Sequence, residues 1–437
     1  MRVLVRRPRG GLAGTIRVPG DKSVSHRAGL LGALAAGPTE IRGFLESEDC
    51  LNTLGALGAL GVEVTRKGSG EYRVEGAGLR GLQEPDDVLD CGNSGTTARL
   101  LLGVLAGQPF WSVLTGDDSL RRRPMGRVTQ PLAQMGATVV GRSDGSRLPL
   151  AIRGARPLKA LRYRSPVPSA QVKSAILLAG LFADGEVSVE EPAPSRDHTE
   201  RMLRGFGARV IAEGRSVTLT PGGELRGHAI QVPGDISSAA FFLVAAALVP
   251  GSAVTIAGVG VNPTRTGLLD VLREMGADVR VTDRREEEEP SGTLTAGTSR
   301  LRGTRVGGGL IPRLIDELPV LAVAATAAEG VTEVSDAAEL RVKESDRIAT
   351  LGAELAKLGA RIEERPDGFL IRGGTPLRGG VVRSWGDHRM AMALIVAGLA
   401  AEGQTVVEDT QCIATSYPEF LATLNALTGD SCAFAEP

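Results

Sequence analysis

Residues 268–281 read LLDVLREMGADVRV. Apolar residues recur at helical spacing through Met275, a glycine stops the helix, and Ala-x-Val opens a strand. The same phrase returns as LGVEV (60–64), MGATVV (135–140), FGARVI (206–211) and LGARIE (358–363), with a degenerate sixth copy, ALTG, at 426–429. Roughly 35 residues upstream of each lies a small-residue helix ending in glycine: LLGALAAG, LLGVLAG, ILLAGLFADG, AAALVPG, AVAATAAEG and IVAGLAAEG. The copies stand roughly 70–80 residues apart, which at one supersecondary unit per repeat gives six units. Two helices with three or four strands make each a βαβαββ-like element. Six of them in two groups of three predict an α/β (α+β) chain of two similar domains.

The phrase VPGD occurs twice, in VPGDKSVSHR (18–27) and in VPGDISS (232–238), about three repeat lengths apart. Proline fixes φ and glycine permits unusual backbone, which suits paired hinge strands where the chain passes between halves. That reading predicts one domain of residues 20–233 and a discontinuous one of residues 1–19 and 234–437. The plainer reading is two unrelated strand-to-turn signals.

Bulk properties narrow the function. Of 437 residues, 50 are basic and 51 acidic, and aromatics make up 3%. Neither a polyanion-binding charge nor stacking platforms for nucleic acid are present. Cys50, Cys91, Cys412 and Cys432 form no C-x-x-C pair, so neither a structural zinc nor a disulfide scaffold is expected. The N-terminus, MRVLVRRPRGG, lacks the apolar stretch of a secretory signal. The longest apolar run, Ala239 to Val249, stops at Pro250-Gly251, far short of the roughly 20 residues of a membrane span. The expectation is a soluble cytoplasmic protein of a reducing compartment, with neither nucleic acid nor membrane as partner.

Charged and polar residues gather where repeats begin: DKSVSHR (21–27), DCGNSGTTAR (90–99), PSAQVKSA (168–175), GDISSAA (234–240), IDELP (315–319) and GDHRMAMA (386–393). Between them lie SLRRRPM (119–125), SRDHTERM (195–202) and RVKESDRI (341–348). Loops meeting helix starts are where clefts form, and helix N-termini such as NSGTT and PSAQ offer N–H groups to phosphate or carboxylate. Each has a plain alternative. NSGTT and PSAQ could be simple N-caps, the arginines at 121–123 a solvated loop, and Lys343, Glu344 and Arg347 surface pairs along a helix. His388 could be a core histidine and His198 a surface one. REEEEP (285–290) reads as a solvated loop.

Together these stretches, with NPTRTG (262–267) and ATSYPEF (414–420), resemble the 5-enolpyruvylshikimate-3-phosphate synthase family over nearly the whole chain. The resemblance implies two domains of three βαβαββ units each, an inside-out α/β barrel pair on a double hinge, closing on substrates. It implies transfer of the enolpyruvyl group of phosphoenolpyruvate to the 5-hydroxyl of shikimate 3-phosphate; no cofactor is expected, nor a metal, since no motif offers a ligand cluster, and the chain is expected to act as a monomer. By the same resemblance Lys22, Ser23, Arg27, Ser169, Ala170 (through its backbone), Gln171, Arg196, Asp316 and Lys343 would hold shikimate 3-phosphate. Lys22, Gly95, Arg123, Gln171, Arg347, His388 and Arg389 would hold phosphoenolpyruvate, Gly95 because only a missing side chain leaves room. Gly95 also predicts sensitivity to the family's inhibitor glyphosate. Asp316 and Glu344 would exchange protons, and Lys22 would stabilise charge at the bridging oxygen.

The chemistry asks for such a set. Two polyanions must sit together, and arginine forks match carboxylate and phosphate bidentately. One acid and one base that exchange roles suffice for addition and elimination. The chain departs from many relatives at Ala170 (often serine), Arg196 (often tyrosine), Glu339 (often asparagine) and Thr415 (often lysine), a set that marks a sequence subgroup. Two rivals remain. The enolpyruvyl transferase acting on UDP-N-acetylglucosamine carries a cysteine before its Arg-Pro, and TGDDSLRRRPM (115–125) has none. A non-catalytic phosphosugar-binding protein on this scaffold would be expected to lose Asp316 or Glu344.

Overall fold

A helix that is apolar all round must be buried on every side, and the chain contains such helices in each repeat. In the computed structural model, which describes residues 1–429 and 432–436, helix Ile236–Leu248 is buried from Ile236 to Ala247. Helices Leu318–Ala327 and His388–Ala400 are as deeply covered. Small side chains let such helices approach closely. A Cβ on Gly103 would lie 2.4 Å from the carbonyl oxygen of Ala175, so helix Gly95–Leu105 meets helix Ala170–Gly180 backbone to backbone.

The repeat is visible in one unit. Strand Leu89–Asp90, helix Gly95–Leu105, strand Trp111–Thr115, helix Gly126–Gln134 and strands Thr138–Gly141 and Leu150–Arg153 follow in order. The first two strands pair in parallel, and the last strand inserts antiparallel between the second and third. Six four-stranded sheets share this order among the described residues. The glycine of each repeated phrase ends the second helix in a left-handed conformation, with φ of +83° at Gly61 and +88° at Gly276. That conformation closes the helix C-terminus and turns the chain into the next strand.

Two compact units result, Met1–Pro19 with Pro233–Pro437, and Gly20–Val232. Strand Ala13–Ile16, before the first VPGD, pairs in parallel with Ala253–Gly260, whereas helix Lys22–Leu34 just after it belongs to the other unit. Strand Ala229–Gln231, before the second VPGD, pairs in parallel with Ala36–Arg42. Each VPGD therefore separates a strand of one unit from a helix of the other. Both aspartates cap the helix that follows, Asp21 accepting from Val24 N at 2.9 Å and Asp235 from Ser237 N at 2.8 Å. The degenerate sixth repeat is completed by the N-terminus, strand Arg2–Arg6 pairing antiparallel with Gln404–Glu408.

Candidate active site

In the unit Gly20–Val232, the expected residues stand at helix starts. Lys22 and Ser23 open helix Lys22–Leu34, and Lys22 Nζ lies 3.0 Å from Asp49 Oδ2. Arg27, one turn on, is buried. It donates to Ser23 O at 2.8 Å, to Thr199 Oγ1 at 2.6 Å and to Ser174 Oγ at 2.8 Å, joining three helices. Gly95 is the first residue of helix Gly95–Leu105, capped by Ser94. Arg123 donates to Asn93 Oδ1 at 2.7 Å and to Asn93 O at 3.2 Å, so GNSGTT and the arginine loop form one structure. A Cβ on Gly95 would lie 2.9 Å from Arg99 Nη1 and 3.4 Å from Arg123 Nη1.

Ser169 caps helix Ala170–Gly180 through a long 3.4 Å bond from Val172 N, and Ala170 is the helix's first residue. Gln171 accepts from Arg99 Nη1 at 2.5 Å and donates to Thr96 Oγ1 at 3.0 Å. The structure thus brings Gly95, Arg123, Ser169, Ala170 and Gln171 into one connected neighbourhood, with Arg99 at its centre. Arg196 is half-buried in the connection before helix His198–Gly205. The capping alternative for NSGTT and PSAQ is met by the same serines, which leaves the helix amides in place. Of the three consecutive arginines, Arg122 is exposed and Arg123 buried. The solvated-loop alternative therefore fails for Arg123.

In the unit containing Pro233–Pro437, Arg347 organises the site. It is 1% exposed, and its Nε lies 2.7 Å from Asp387 Oδ2, its Nη2 2.6 Å from Glu344 Oε2 and its Nη1 3.4 Å from Asp316 Oδ1. Burial works against its charge, but Asp387, Glu344 and Asp316 outweigh that and hold the guanidinium pKa above the ordinary arginine value. Arg389 approaches Asp316 from another direction, Nη2 to Oδ2 at 3.7 Å. His388 and Arg389 begin helix His388–Ala400, whose N-cap Asp387 accepts from Arg389 N at 2.9 Å. Lys343 and Glu344 precede helix Arg347–Lys357 and are half-buried. The reading of Lys343, Glu344 and Arg347 as surface pairs along a helix is overturned, because the helix starts only at Arg347 and that residue is buried.

Sequence reading missed several residues. Arg265, quoted only within NPTRTG, is buried and donates to Ser237 Oγ at 2.7 Å and Glu317 Oε1 at 3.2 Å, with Asp235 Oδ1 at 3.3 Å. It also lies 3.9 Å from Asp316 Oδ2. Ser237 donates to Glu317 as well. The signal was an arginine in an otherwise polar turn, indistinguishable from a surface residue without its partners. Two other expectations are corrected. His198 is buried, because its helix packs through Thr199 against Arg27. In REEEEP, Glu286 and Glu287 are exposed, but Glu289 turns inward and accepts from Asn262 Nδ2 at 3.2 Å. Among the described residues, no group of three or more histidine, cysteine, aspartate or glutamate side chains could hold a metal ion.

Six βαβαββ units, helix ends capped by serine, and guanidiniums paired with carboxylates are the arrangement expected of a protein that handles small anions. Residues 7–424 match the model of the EPSP synthase (3-phosphoshikimate 1-carboxyvinyltransferase) family, and the chain belongs to that family. It is 59% identical over 411 residues to the 3-phosphoshikimate 1-carboxyvinyltransferase of Pelotomaculum thermopropionicum, covering 94% of this chain and 95% of that one. It is 58% identical to the Geobacillus kaustophilus enzyme of the same name, over 95% of this chain and 98% of that one. The solved EPSP synthase of Acinetobacter baumannii superposes with a TM-score of 0.89 at 44% identity, over the full length of both chains.

Proposed function

We infer that this chain transfers the enolpyruvyl group of phosphoenolpyruvate to the 5-hydroxyl of shikimate 3-phosphate, releasing phosphate, in the shikimate pathway to chorismate and the aromatic amino acids. One observation carries the chemistry beyond family membership. A single buried guanidinium, Arg347, is shared by Asp316 at 3.4 Å and Glu344 at 2.6 Å. Two carboxylates so bracketed can serve the two proton transfers that one small substrate needs.

Asp316 takes the proton of the 5-hydroxyl as its oxygen bonds to C2 of phosphoenolpyruvate, and Glu344 protonates the C3 methylene. The tetrahedral intermediate then returns a proton from the methyl group to Glu344 while the bond from C2 to the phosphate oxygen breaks, and the phosphate leaves with the proton that Asp316 had taken. Lys22 stabilises charge at that bridging oxygen. We assign Lys22, Gly95, Arg123, Gln171, Arg347, His388 and Arg389 to phosphoenolpyruvate. Lys22, Ser23, Arg27, Ser169, Ala170, Gln171, Arg196, Asp316 and Lys343 are assigned to shikimate 3-phosphate. Arginine forks and helix amides suit both anions. Atoms balance between the two substrates, so the reaction as written requires no cofactor.

Among the described residues, no helix is long and apolar enough to cross a membrane. We place the protein in the cytoplasm as a monomer, in keeping with thiols at Cys50, Cys91 and Cys412. Light scattering of the purified chain tests the monomer. The test of function is phosphate release from phosphoenolpyruvate with shikimate 3-phosphate or UDP-N-acetylglucosamine as acceptor, beside Asp316→Asn. Release only with shikimate 3-phosphate, and at least about 100-fold slower in the variant, is the expected result. Release with neither acceptor overturns the reading.

A further inference from the structure

Lys173, Glu191 and Glu200 form a buried ion cluster outside the residues assigned above. Lys173 Nζ lies 2.9 Å from Glu191 Oε2 and 2.8 Å from Glu200 Oε1, with none of the three side chains more than 4% exposed. Burial works against the lysine's charge, and the two carboxylates outweigh it, so its pKa stands above the ordinary value. Glu191 uses both oxygens to hold neighbouring connections. Oε1 accepts from the Ser169 backbone N–H at 2.8 Å, and Oε2 accepts from the Ser195 hydroxyl at 2.8 Å. Lys173 also reaches the Ser195 carbonyl at 3.5 Å. Ser169 leads into Ala170 and Gln171, and Ser195 leads into Arg196. One carboxylate therefore ties together two segments that supply four of the nine residues assigned to shikimate 3-phosphate: Ser169, Ala170, Gln171 and Arg196.

We propose that Glu191 is a positioning residue for the shikimate 3-phosphate subsite, and that Lys173 is the counter-ion that allows a carboxylate to stand behind a phosphate-binding helix end. The proposal rests on the assignment of Ser169, Ala170, Gln171 and Arg196 to shikimate 3-phosphate. Fixing Ser169 and Ser195 to the same side chain fixes the spacing between the helix amides and Arg196. Two carboxylates with no cation between them would repel a phosphate bound nearby, and Lys173 offsets one of the two, which holds the cluster at a single net negative charge. Glu200 shares the lysine through one oxygen, while its Oε2 is buried without a hydrogen-bond partner. Removing the ammonium thus leaves two adjacent carboxylates, whereas removing the charge of Glu200 leaves a neutral pair.

The experiment compares Lys173→Met, Lys173→Met/Glu200→Gln and Glu191→Gln by steady-state kinetics and by calorimetric titration with shikimate 3-phosphate. Lys173→Met is expected to raise KM and Kd for shikimate 3-phosphate by about tenfold or more, with kcat and the KM for phosphoenolpyruvate within about twofold. Adding Glu200→Gln restores one negative charge with Glu191 intact and brings the affinity back to within about threefold of wild type. In Glu191→Gln one oxygen becomes an NH2 that can neither accept from the Ser195 hydroxyl nor pair with Lys173, so the same KM rises by about tenfold even if Lys173→Met fails to fold. A merely structural role moves melting temperature and all kinetic constants together and shows no rescue, and that outcome overturns the proposal. Unchanged shikimate 3-phosphate affinity in Glu191→Gln overturns it as well. If wild type binds shikimate 3-phosphate but releases no phosphate, the function reading falls and the titrations still decide the cluster.

Discussion

Asp387 supports both the stability of its unit and the geometry of Arg347, and the two contributions can be separated. Its carboxylate is fully buried, pairs with Arg347 Nε at 2.7 Å and Nη2 at 3.3 Å, and accepts from Arg389 N at 2.9 Å and Ser345 Oγ at 3.2 Å. Asparagine keeps the helix cap, since it ranks with aspartate there, but removes the charge. Breaking one side of a buried ion pair costs about 3–5 kcal/mol. Arg347 retains Glu344 at 2.6 Å, so the lower end applies, about 3 kcal/mol. Alanine removes the cap too, about 1 kcal/mol more. At roughly 2–4 °C per kcal/mol for a unit of this size, Asp387→Asn should melt about 6–12 °C below wild type and Asp387→Ala a few degrees lower still. Circular dichroism melts give the first quantity, and the KM for phosphoenolpyruvate, expected to rise in both variants, gives the second. An Asn variant that melts within about 1 °C of wild type would refute the view that Asp387 is the main counter-charge of Arg347.

Gly95→Ala should leave melting unchanged or slightly raised, because alanine favours a helix over glycine by up to about 1 kcal/mol and the crowded atoms are guanidinium ends that can shift. Its KM for phosphoenolpyruvate should still rise about tenfold or more, and glyphosate inhibition should weaken; unchanged values for both would refute the assignment of Gly95. His26 is buried, its Nδ1 is 2.7 Å from Thr53 Oγ1, and desolvation, with Lys22 and Arg27, holds its pKa well below the ordinary histidine value. Below about pH 6.5 the unfolded chain binds a proton that the folded one does not, so stability falls by about 1.4 kcal/mol per pH unit until the folded pKa is reached. His26→Asn should flatten that slope in urea titrations between about pH 6.5 and 5, and parallel profiles would refute it. Trp385, beside Gly386 and Asp387, donates to Glu354 Oε1 at 2.9 Å; in a Trp111→Phe background its emission should change on adding phosphoenolpyruvate with shikimate 3-phosphate, and a silent titration would count against anion binding at His388 and Arg389.

What could be read from the sequence was local. The Gly-Ala-x-Val phrase encodes a helix stop and a strand start within a few residues, so its period exposed the repeats. The aspartates of both VPGD copies cap helices, which short-range spacing also records. Pairing between distant segments left no comparable mark. Nothing in the letters of Ala13–Ile16 or Ala229–Gln231 states which sheet each enters, and strand Arg2–Arg6 completes a repeat that lies some 400 residues away. Buried charge was hidden for the same reason. Arg265, Lys173 and Glu289 look like surface residues until their partners, 18 or more positions away, come into contact. Charge in a sequence suggests solvent by default, and only the fold shows which charges are enclosed and matched.

One repeated element need not produce six equivalent sites, and the residues at its helix starts show how the copies diverge. In the unit Gly20–Val232 the helices open behind Asp21, Ser94 and Ser169; in the other unit they open behind Asp235, Glu317 and Asp387. A serine cap is neutral, so the positive helix end remains available to an anion from outside, and Arg99 and Arg123 beside it add to that pull. In the unit containing Pro233–Pro437, Asp235 and Asp387 accept N–H bonds at the positive helix end, and the acidic residues there also hold guanidiniums: Asp235 and Glu317 hold Arg265, and Asp387 holds Arg347. The first arrangement suits binding of a phosphate through backbone amides. The second fixes arginines in place before substrate arrives, which lowers the reorganisation needed when charge develops during reaction. Alignment of Arg347 also sets Asp316 and Glu344 on either side of it. The N-cap position is thus serine in two copies, both in the unit Gly20–Val232, and acidic in the other four, Asp21 included, so the neutral helix ends lie in one unit and the arginines held by acidic caps in the other.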